Sequence, residues 1–529
     1  MGTNSDKASL TVDPEQSLTI PPEHEHEAVR LTYYQHLQLA AVTVIVLTML
    51  IATVLLTFPY VFATVGGALR VTSSYHQSWS GATASFYSKV ESHNDDTLCP
   101  GMYAKTRAIS HSGYIGLQGD TLEQPKKSFF WFFEAQDANS DAPLILSIGG
   151  GPGVTALLNP LLGQSHCMLT PNGTTKSSPY AWTEHFNLVA VDHPVNVGLS
   201  FGTPVSNSRD AAYDVYDFLQ KFYTIFPHLR KNSLILSGGS YAGTYIPHIA
   251  TVIHKGNLAI ASVPGHATAH RINLESMMLS NPHTDALSHY TWTLQQRCKY
   301  TDLYNSTVCD SLYERLPFCL DAIQLVYEDP SILDHRVRAN TICQTTQLQK
   351  LEGRSYDNVN LRCNGTLDDC LPQGVWLSQF INTPKIKQTL GVPAGLGYSL
   401  VNQSVHKAFI DAGDIVQPAH WMYPPLLKAG IRLLHYVGKL DANCPWPGTL
   451  SMLNLLRSPV QAAFSNAPDL PWTGENATVR AVGEGAGDLT YIFMEDSGHM
   501  VLRDQPALVK RIVDHWIVNE PFDTVTNSP

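Results

Sequence analysis

The sequence predicts an α/β fold: a central, mostly parallel sheet with helices on both faces, preceded by one apolar helix. Three observations carry this reading. Short, almost wholly apolar runs recur at Leu144–Ile148, Asn187–Val191, Ser233–Leu236, Ile431–Val437 and Leu489–Met494. Strands buried on both faces have this composition, and such strands belong to parallel sheets. Helical periodicity alternates with them. In Arg209–Phe226, the residues Ala212, Tyr216, Leu219, Tyr223 and Phe226 recur at three- and four-residue steps. In Gln505–Ile517, Pro506 suits the first turn and Leu508, Ile512 and Trp516 form the stripe. Strands alternating with helices give a parallel sheet covered on both sides. The third observation is a long uncharged stretch near the N-terminus.

In chain order, residues 1–36 form an acidic tail, with Asp6, Asp13, Glu15, Glu23, Glu25 and Glu27 against Lys7 and Arg30. No Asp, Glu, Lys or Arg occurs from Leu31 to Leu69, and 37–62 is the most apolar part. At about 1.5 Å per residue it can cross a hydrocarbon core of roughly 30 Å. Tyr33, Tyr34 and Tyr60 stand near its ends, where interfacial aromatics belong. A cleaved signal peptide has a shorter apolar core closer to the N-terminus, so 37–62 is read as a signal anchor. Arg30 and Arg70 balance each other and do not orient it.

Residues 63–90, rich in Ser, Thr, Ala and Gly, read as a stalk. The α/β unit is expected in two parts, 91–283 and 376–520, separated by an inserted cap at 284–375, with a short tail at 521–529. The cap holds six of the nine cysteines. No C-x-x-C pair occurs, so a zinc site is disfavoured, and the odd count leaves at least one thiol unpaired. Sequons stand at Asn172, Asn305, Asn364, Asn402 and Asn476. Together with clustered cysteines they point to an oxidising, glycosylating compartment. The chain is therefore expected to be a single-pass type II membrane protein with a cytosolic tail and a lumenal or extracellular bulk. With a net charge of −11 and no block of Lys or Arg, a nucleic-acid partner is not expected.

Gly238-Gly239-Ser240-Tyr241-Ala242-Gly243 follows the strand at Ser233 and precedes a helical pattern. A serine in a sharp strand-to-helix turn needs small neighbours, because the backbone there is crowded. This is the nucleophile elbow of the α/β-hydrolase fold, with Ala242 in place of the second glycine of G-x-S-x-G. A serine hydroxyl needs a base within reach, and the base needs an orienting acid. In this fold the order is Ser, acid, His. Asp441 follows the strand at Ile431 and His499 follows the strand at Leu489, both past strand C-termini, where open α/β sheets place their chemistry. Gly149-Gly150-Gly151-Pro152-Gly153 ends the first strand named above, where glycines let backbone N–H groups face a developing oxyanion. A phosphate loop would require Lys-Ser/Thr after the glycines, and these are missing.

These motifs together resemble the serine carboxypeptidase family, the family of carboxypeptidase Y. GGGPGVTA (149–156) is similar to its N-G-G-P-G-C-S-S, and GGSYAGTYIP (238–247) to its G-E-S-Y-A-G-x-Y-x-P. DHPVNVGLSF (192–201), YVGKLD (436–441) and GHMVL (498–502) resemble three further signatures, and HSGYIGL, FFWFFEA, YDNVNLRC and FINTPKIKQTLGV follow the family's order. The resemblance spans roughly residues 95–517. It implies an α/β-hydrolase with a cap, a catalytic triad of Ser240, Asp441 and His499, and no cofactor or metal. It implies an oxyanion hole on the backbone N–H groups of Gly151 and Tyr241, and substrate contacts at Gly149, Gly150, Gly239 and Met500.

The departures bear on specificity. The family grips a terminal carboxylate with one Asn and two Glu. Those positions read Gly149, Gly239 and Gly163 here, and Val154 replaces the family's Cys. Cys444 resembles a free thiol some members keep near the site, with a disulfide half as the other reading. The expected activity is hydrolysis of a peptide bond at the C-terminal residue, or of an ester, through an acyl-enzyme. The alternatives are an esterase or acyltransferase with altered recognition, and a catalytically silent binding homologue.

Overall fold

A computed structural model describes residues 89–93, 98–99, 109–262, 269–346 and 353–524. The acidic tail, the apolar stretch at 37–62, most of the stalk and the last residues of the C-terminal tail lie outside the described residues. Lys89 and Val90, expected in the stalk, instead open the first strand of the sheet.

The strands, in chain order, are β1 (Lys89–His93), β2 (Ser110–Gly116), β3 (Lys126–Phe133), β4 (Leu144–Ile148), β5 (Cys167–Leu169), β6 (Thr175–Ser177), β7 (Asn187–Val191), β8 (Phe201–Gly202), β9 (Leu234–Gly239), β10 (Leu274–Ser280), β11 (Arg432–Gly438), β12 (Leu470–Pro471), β13 (Ala477–Val482) and β14 (Leu489–Met494). Twelve of them form one sheet in the order β1-β2-β3-β7-β4-β9-β10-β11-β14-β13-β12, with β8 beside β3. The centre, from β7 through β4, β9, β10 and β11 to β14, is parallel throughout. Both flanks are antiparallel. The sheet is thus mixed rather than mostly parallel. The pairs β2–β3, β12–β13 and β13–β14 are joined by short links, which favour antiparallel pairing, β3 pairs antiparallel with β7 and β8 across longer stretches of chain, and each central pair is separated by a crossover.

The central strands are apolar because both faces are buried. On β4, Ile145 faces one core with Trp516, Ile512 and Leu434. Leu144, Leu146 and Ile148 face the other, with Phe218, Phe222 and Ile246. The helices Ser208–Ile225 and Ala242–Ser262 supply that second core, and Pro506–Val518 supplies the first. Asn207 caps the first of these, its side chain accepting from the Asp210 N–H, and Asn519 ends the last in a left-handed conformation. Each large side chain buried this way contributes about 1.5–3 kcal/mol.

Between β10 and β11 the chain makes helices Ala286–Gln295, Ser306–Glu328 and Leu333–Gln344 with a small apolar cluster of their own, including Tyr290, Leu312, Leu316, Ile323 and Val326. The six cysteines of 284–375 pair as Cys298–Cys309, Cys319–Cys343 and Cys363–Cys370, and Cys99 pairs with Cys167. Cys444 is left as a buried free thiol. Among the described residues, no helix is long and apolar enough to cross a membrane.

Candidate active site

Three consecutive members of the parallel centre, β9, β10 and β11, together with β14, bring the predicted residues to one edge of the sheet. β9 runs directly into Ser240, whose φ of 57° is left-handed. That conformation is uncommon for a residue with a Cβ and holds the side chain out of the strand-to-helix turn. The turn is pinned by its backbone. The Ser240 N–H donates to Ser280 O at 3.0 Å, and its carbonyl accepts from Gly243 and His283 at 2.9 Å each. The small neighbours are steric requirements. A Cβ on Gly238 would lie 2.5 Å from the Ala242 Cβ, and one on Gly150 would lie 2.7 Å from Gly239 O.

Asp441 follows β11 and is fully buried. One carboxylate oxygen accepts from His499 Nδ1 at 2.7 Å. The other accepts from the backbone N–H groups of Asn443 at 2.6 Å and Cys444 at 3.0 Å. His499 follows β14. Asn281, at the end of β10, holds its loop by donating from Nδ2 to the carbonyls of Gly498 and His499, both at 2.9 Å. The same amide's oxygen accepts from the Gly438 N–H at 2.8 Å, so one side chain ties both loops. Burial by itself would lower the His499 pKa. The field and hydrogen bond of Asp441 outweigh it, with Asp357 adding to the rise and Arg503 opposing it, and the imidazole is pushed up to about 9.

The buried Cys444 thiol follows Asp441 by three residues, and burial and the Asp441 charge raise its pKa well above the usual value. Among the described residues, no hydrogen bond joins Ser240 to His499. Bonds of this kind are often long before substrate binds. Gly151 has a φ of 110°, and the backbone N–H groups of Gly151 and Tyr241 donate to no acceptor among the described residues. The Tyr241 hydroxyl donates to buried Asp414 at 2.7 Å, fixing the residue after the serine.

Of the positions expected to contact substrate, Gly150 lies against the elbow, where its Cβ would stand 3.0 Å from the Ser240 Cβ. Met500 is half-buried, packs on the core of the closing helix and precedes the short helix Val501–Asp504. A Cβ on Gly149 would lie 2.1 Å from Val154 O, and one on Gly239 would lie 2.5 Å from Ser280 Oγ. Gly163 has a φ of 137° and its Cβ would meet Tyr180 and Ser178, not the elbow. Asn281, Asp414, Asn443 and Asp357 were not found from the sequence. Each acts on a segment remote in the chain, and no local pattern marks it.

This geometry can be set beside known proteins. The sequence model described as Serine carboxypeptidase matches residues 100–519. Carboxypeptidase Y homolog A of Paracoccidioides brasiliensis (strain Pb03) is 30% identical over 421 residues, covering 78% of this chain and 73% of that protein. The Sclerotinia sclerotiorum protein of the same name is 29% identical over 415 residues, 77% of this chain and 72% of its own. Among solved structures, Kex1(delta)p, a prohormone-processing carboxypeptidase from Saccharomyces cerevisiae, shares the fold, with a TM-score of 0.64 at 21% identity over 78% of this chain and 91% of that one. With the family signature running through nearly all of the described residues, the chain belongs to the serine carboxypeptidase family.

Proposed function

We propose that this chain is a serine-type carboxypeptidase hydrolase that cleaves peptide or ester bonds through Ser240, His499 and Asp441. The observation that carries the reading is the 2.7 Å contact of His499 Nδ1 with a fully buried Asp441, together with a serine held at positive φ at the end of β9. Asp441 leaves the proton on Nδ1 and Nε2 free to act as base. The Ser240 hydroxyl turns toward Nε2, gives up its proton and attacks the carbonyl carbon. The oxyanion is received by the unengaged N–H groups of Gly151 and Tyr241. His499 then protonates the leaving amine or alcohol, and water repeats the cycle on the acyl-enzyme. No cofactor enters this scheme.

A second reading, esterase or acyltransferase, is favoured by the closed space at Gly149 and Gly239, which leaves no side chain there for a terminal carboxylate. Rates on a blocked dipeptide acid, its amide and its ester separate the two. Equal or faster turnover of the ester and amide supports the second, and strong preference for the acid supports the first. A silent binding homologue would turn over none of the three and would not react with a fluorophosphonate.

We read 284–375 as a cap over this edge of the sheet and 37–62 as a signal anchor that leaves the catalytic part lumenal or extracellular. Four disulfides agree with an oxidising compartment. Asn172, Asn305, Asn364 and Asn476 are exposed and suit glycosylation. Asn402 suits it least, because its Nδ2 donates to Asn196 O at 2.7 Å and its oxygen caps a helix.

A further inference from the structure

The two loops that carry Asp441 and His499 are crossed by a third segment, residues 355–359. Its backbone engages the acid loop twice: Ala442 N–H donates to Tyr356 O at 2.9 Å, and Val359 N–H donates to Leu440 O at 3.0 Å. It engages the histidine loop once, where His499 N–H donates to Asp357 O at 2.5 Å. A Cβ on Gly498 would lie 2.1 Å from that same carbonyl, so the two backbones are in direct contact. Asn358 Nδ2 donates to Asp504 at 2.9 Å, and the same Asp504 oxygen accepts the Gly498 N–H at 2.8 Å.

Within this strap, Asp357 touches both loops. Its carbonyl holds His499, and its side-chain Oδ1 accepts from Asn443 Nδ2 at 2.9 Å. Asn443 in turn donates its backbone N–H to Asp441 at 2.6 Å. A carboxylate is not needed to accept one amide hydrogen bond, since an amide oxygen would serve. What a carboxylate adds is charge, on a residue whose own carbonyl is hydrogen-bonded to the His499 N–H, beside an imidazole that must become a cation during the reaction.

We propose that Asp357 is a positioning residue for the reaction at Ser240, tying the Asp441 loop to the His499 loop and adding a second negative charge beside the imidazole. The proposal rests on the triad reading above. The charged and titratable groups facing His499 are Asp441 from the β11 loop, Asp357 from the strap, Arg503 from the short helix after it and His289 from Ala286–Gln295. Asp441 and Asp357 favour the imidazolium, Arg503 disfavours it, and neutral His289 is itself held well below its usual range, first by burial. The Arg297 guanidinium, which donates to Ala442 O at 3.0 Å, supports the same acid loop from the other side.

The test is the rate of Ser240 labelling by an alkyl fluorophosphonate as a function of pH. Asp357→Asn keeps the backbone carbonyl and an oxygen for Asn443 and removes only the charge. Its rising limb should move to lower pH by about half a unit to one unit. Asp357→Glu should return the limb to its original place. Asn443→Ala keeps the charge and cuts the tie, so its limb should stay while its plateau falls about tenfold. A limb for Asp357→Asn that superimposes on the unmodified protein overturns the electrostatic role, and an unchanged plateau for Asn443→Ala overturns the tie. If Asp357→Asn does not fold, Asp357→Ser, which keeps the backbone carbonyl and removes the charge, takes its place, and a limb for it that superimposes on the unmodified protein overturns the electrostatic role. Failure of the triad reading looks different: the unmodified protein takes no label at Ser240 at all.

Discussion

Asp441 and His499 meet because they leave neighbouring strands at matching heights. Gly438, the last residue of β11, pairs in register with Met494, the last of β14, and the loops that follow bring Asp441 Oδ2 to 2.7 Å from His499 Nδ1. The contact is set by the register of two parallel strands.

Ser240→Ala should leave a folded protein with kcat lowered about a millionfold, the scale seen when a triad nucleophile is removed from a serine hydrolase. The elbow is pinned by the backbone of Ser240, not by its hydroxyl. Circular dichroism and thermal unfolding should be unchanged while turnover of a blocked dipeptide ester disappears. Turnover within tenfold of the unmodified protein would remove Ser240 from the chemistry.

The pH dependence follows from the charge on His499. The neutral imidazole is the base, so kcat/KM rises as pH passes the His499 pKa of the free protein. Burial lowers that pKa, but Asp441 raises it further, to about 9. The rising limb should therefore lie above the ordinary histidine value of roughly 6.5. Asp441→Asn removes the field that favours the cation, so its limb should move down in pH while kcat falls about 10⁴-fold. A limb that stays in place in this variant contradicts the assignment of Asp441.

Restoring the family's side chains should not restore a carboxylate grip. Gly239→Glu would place its Cβ 2.5 Å from Ser280 Oγ and 3.1 Å from the Ser280 backbone oxygen. At Gly149 the obstacle is backbone, with Val154 O at 2.1 Å. Both variants should lose activity or stability without gaining preference for a free C-terminal acid over its amide. A gain of tenfold or more in that preference would show that the space is open.

The legible parts of the fold were those where one physical cause dominates. β4, β7 and β14 were found to the residue, because two buried faces make a strand wholly apolar. β10, Leu274–Ser280, was missed: its Glu275 and two Met residues carry neither alternation nor strong β preference, and only its neighbours β9 and β11 make it a strand. Ser240, Asp441 and His499 were legible because each sits in a loop directly after a readable strand. Asn281 was hidden with β10. Asp357 was hidden because its partners, Asn443 and His499, belong to loops remote in the chain. The antiparallel flanks were also missed as a feature of the sheet: β1 carries a single apolar residue, and the buried runs of β2 and β3 show a strand without showing which way it pairs.

The core should respond at Trp516. It is fully buried against the first core, stacks under Arg432 with the guanidinium 4.3 Å from its ring, and donates from Nε1 to Ser276 Oγ at 3.0 Å. Trp516→Ala should cost about 3–5 kcal/mol and lower the thermal midpoint by several degrees. A change in midpoint under about one degree would contradict the packing described.

The most direct measurement is the site of covalent labelling by a fluorophosphonate, read by peptide mass spectrometry. The account predicts one adduct, on the Ser240 Oγ, formed at a rate that rises with pH and abolished by His499→Ala. An adduct on another residue, or labelling that survives the loss of His499 undiminished, would contradict it.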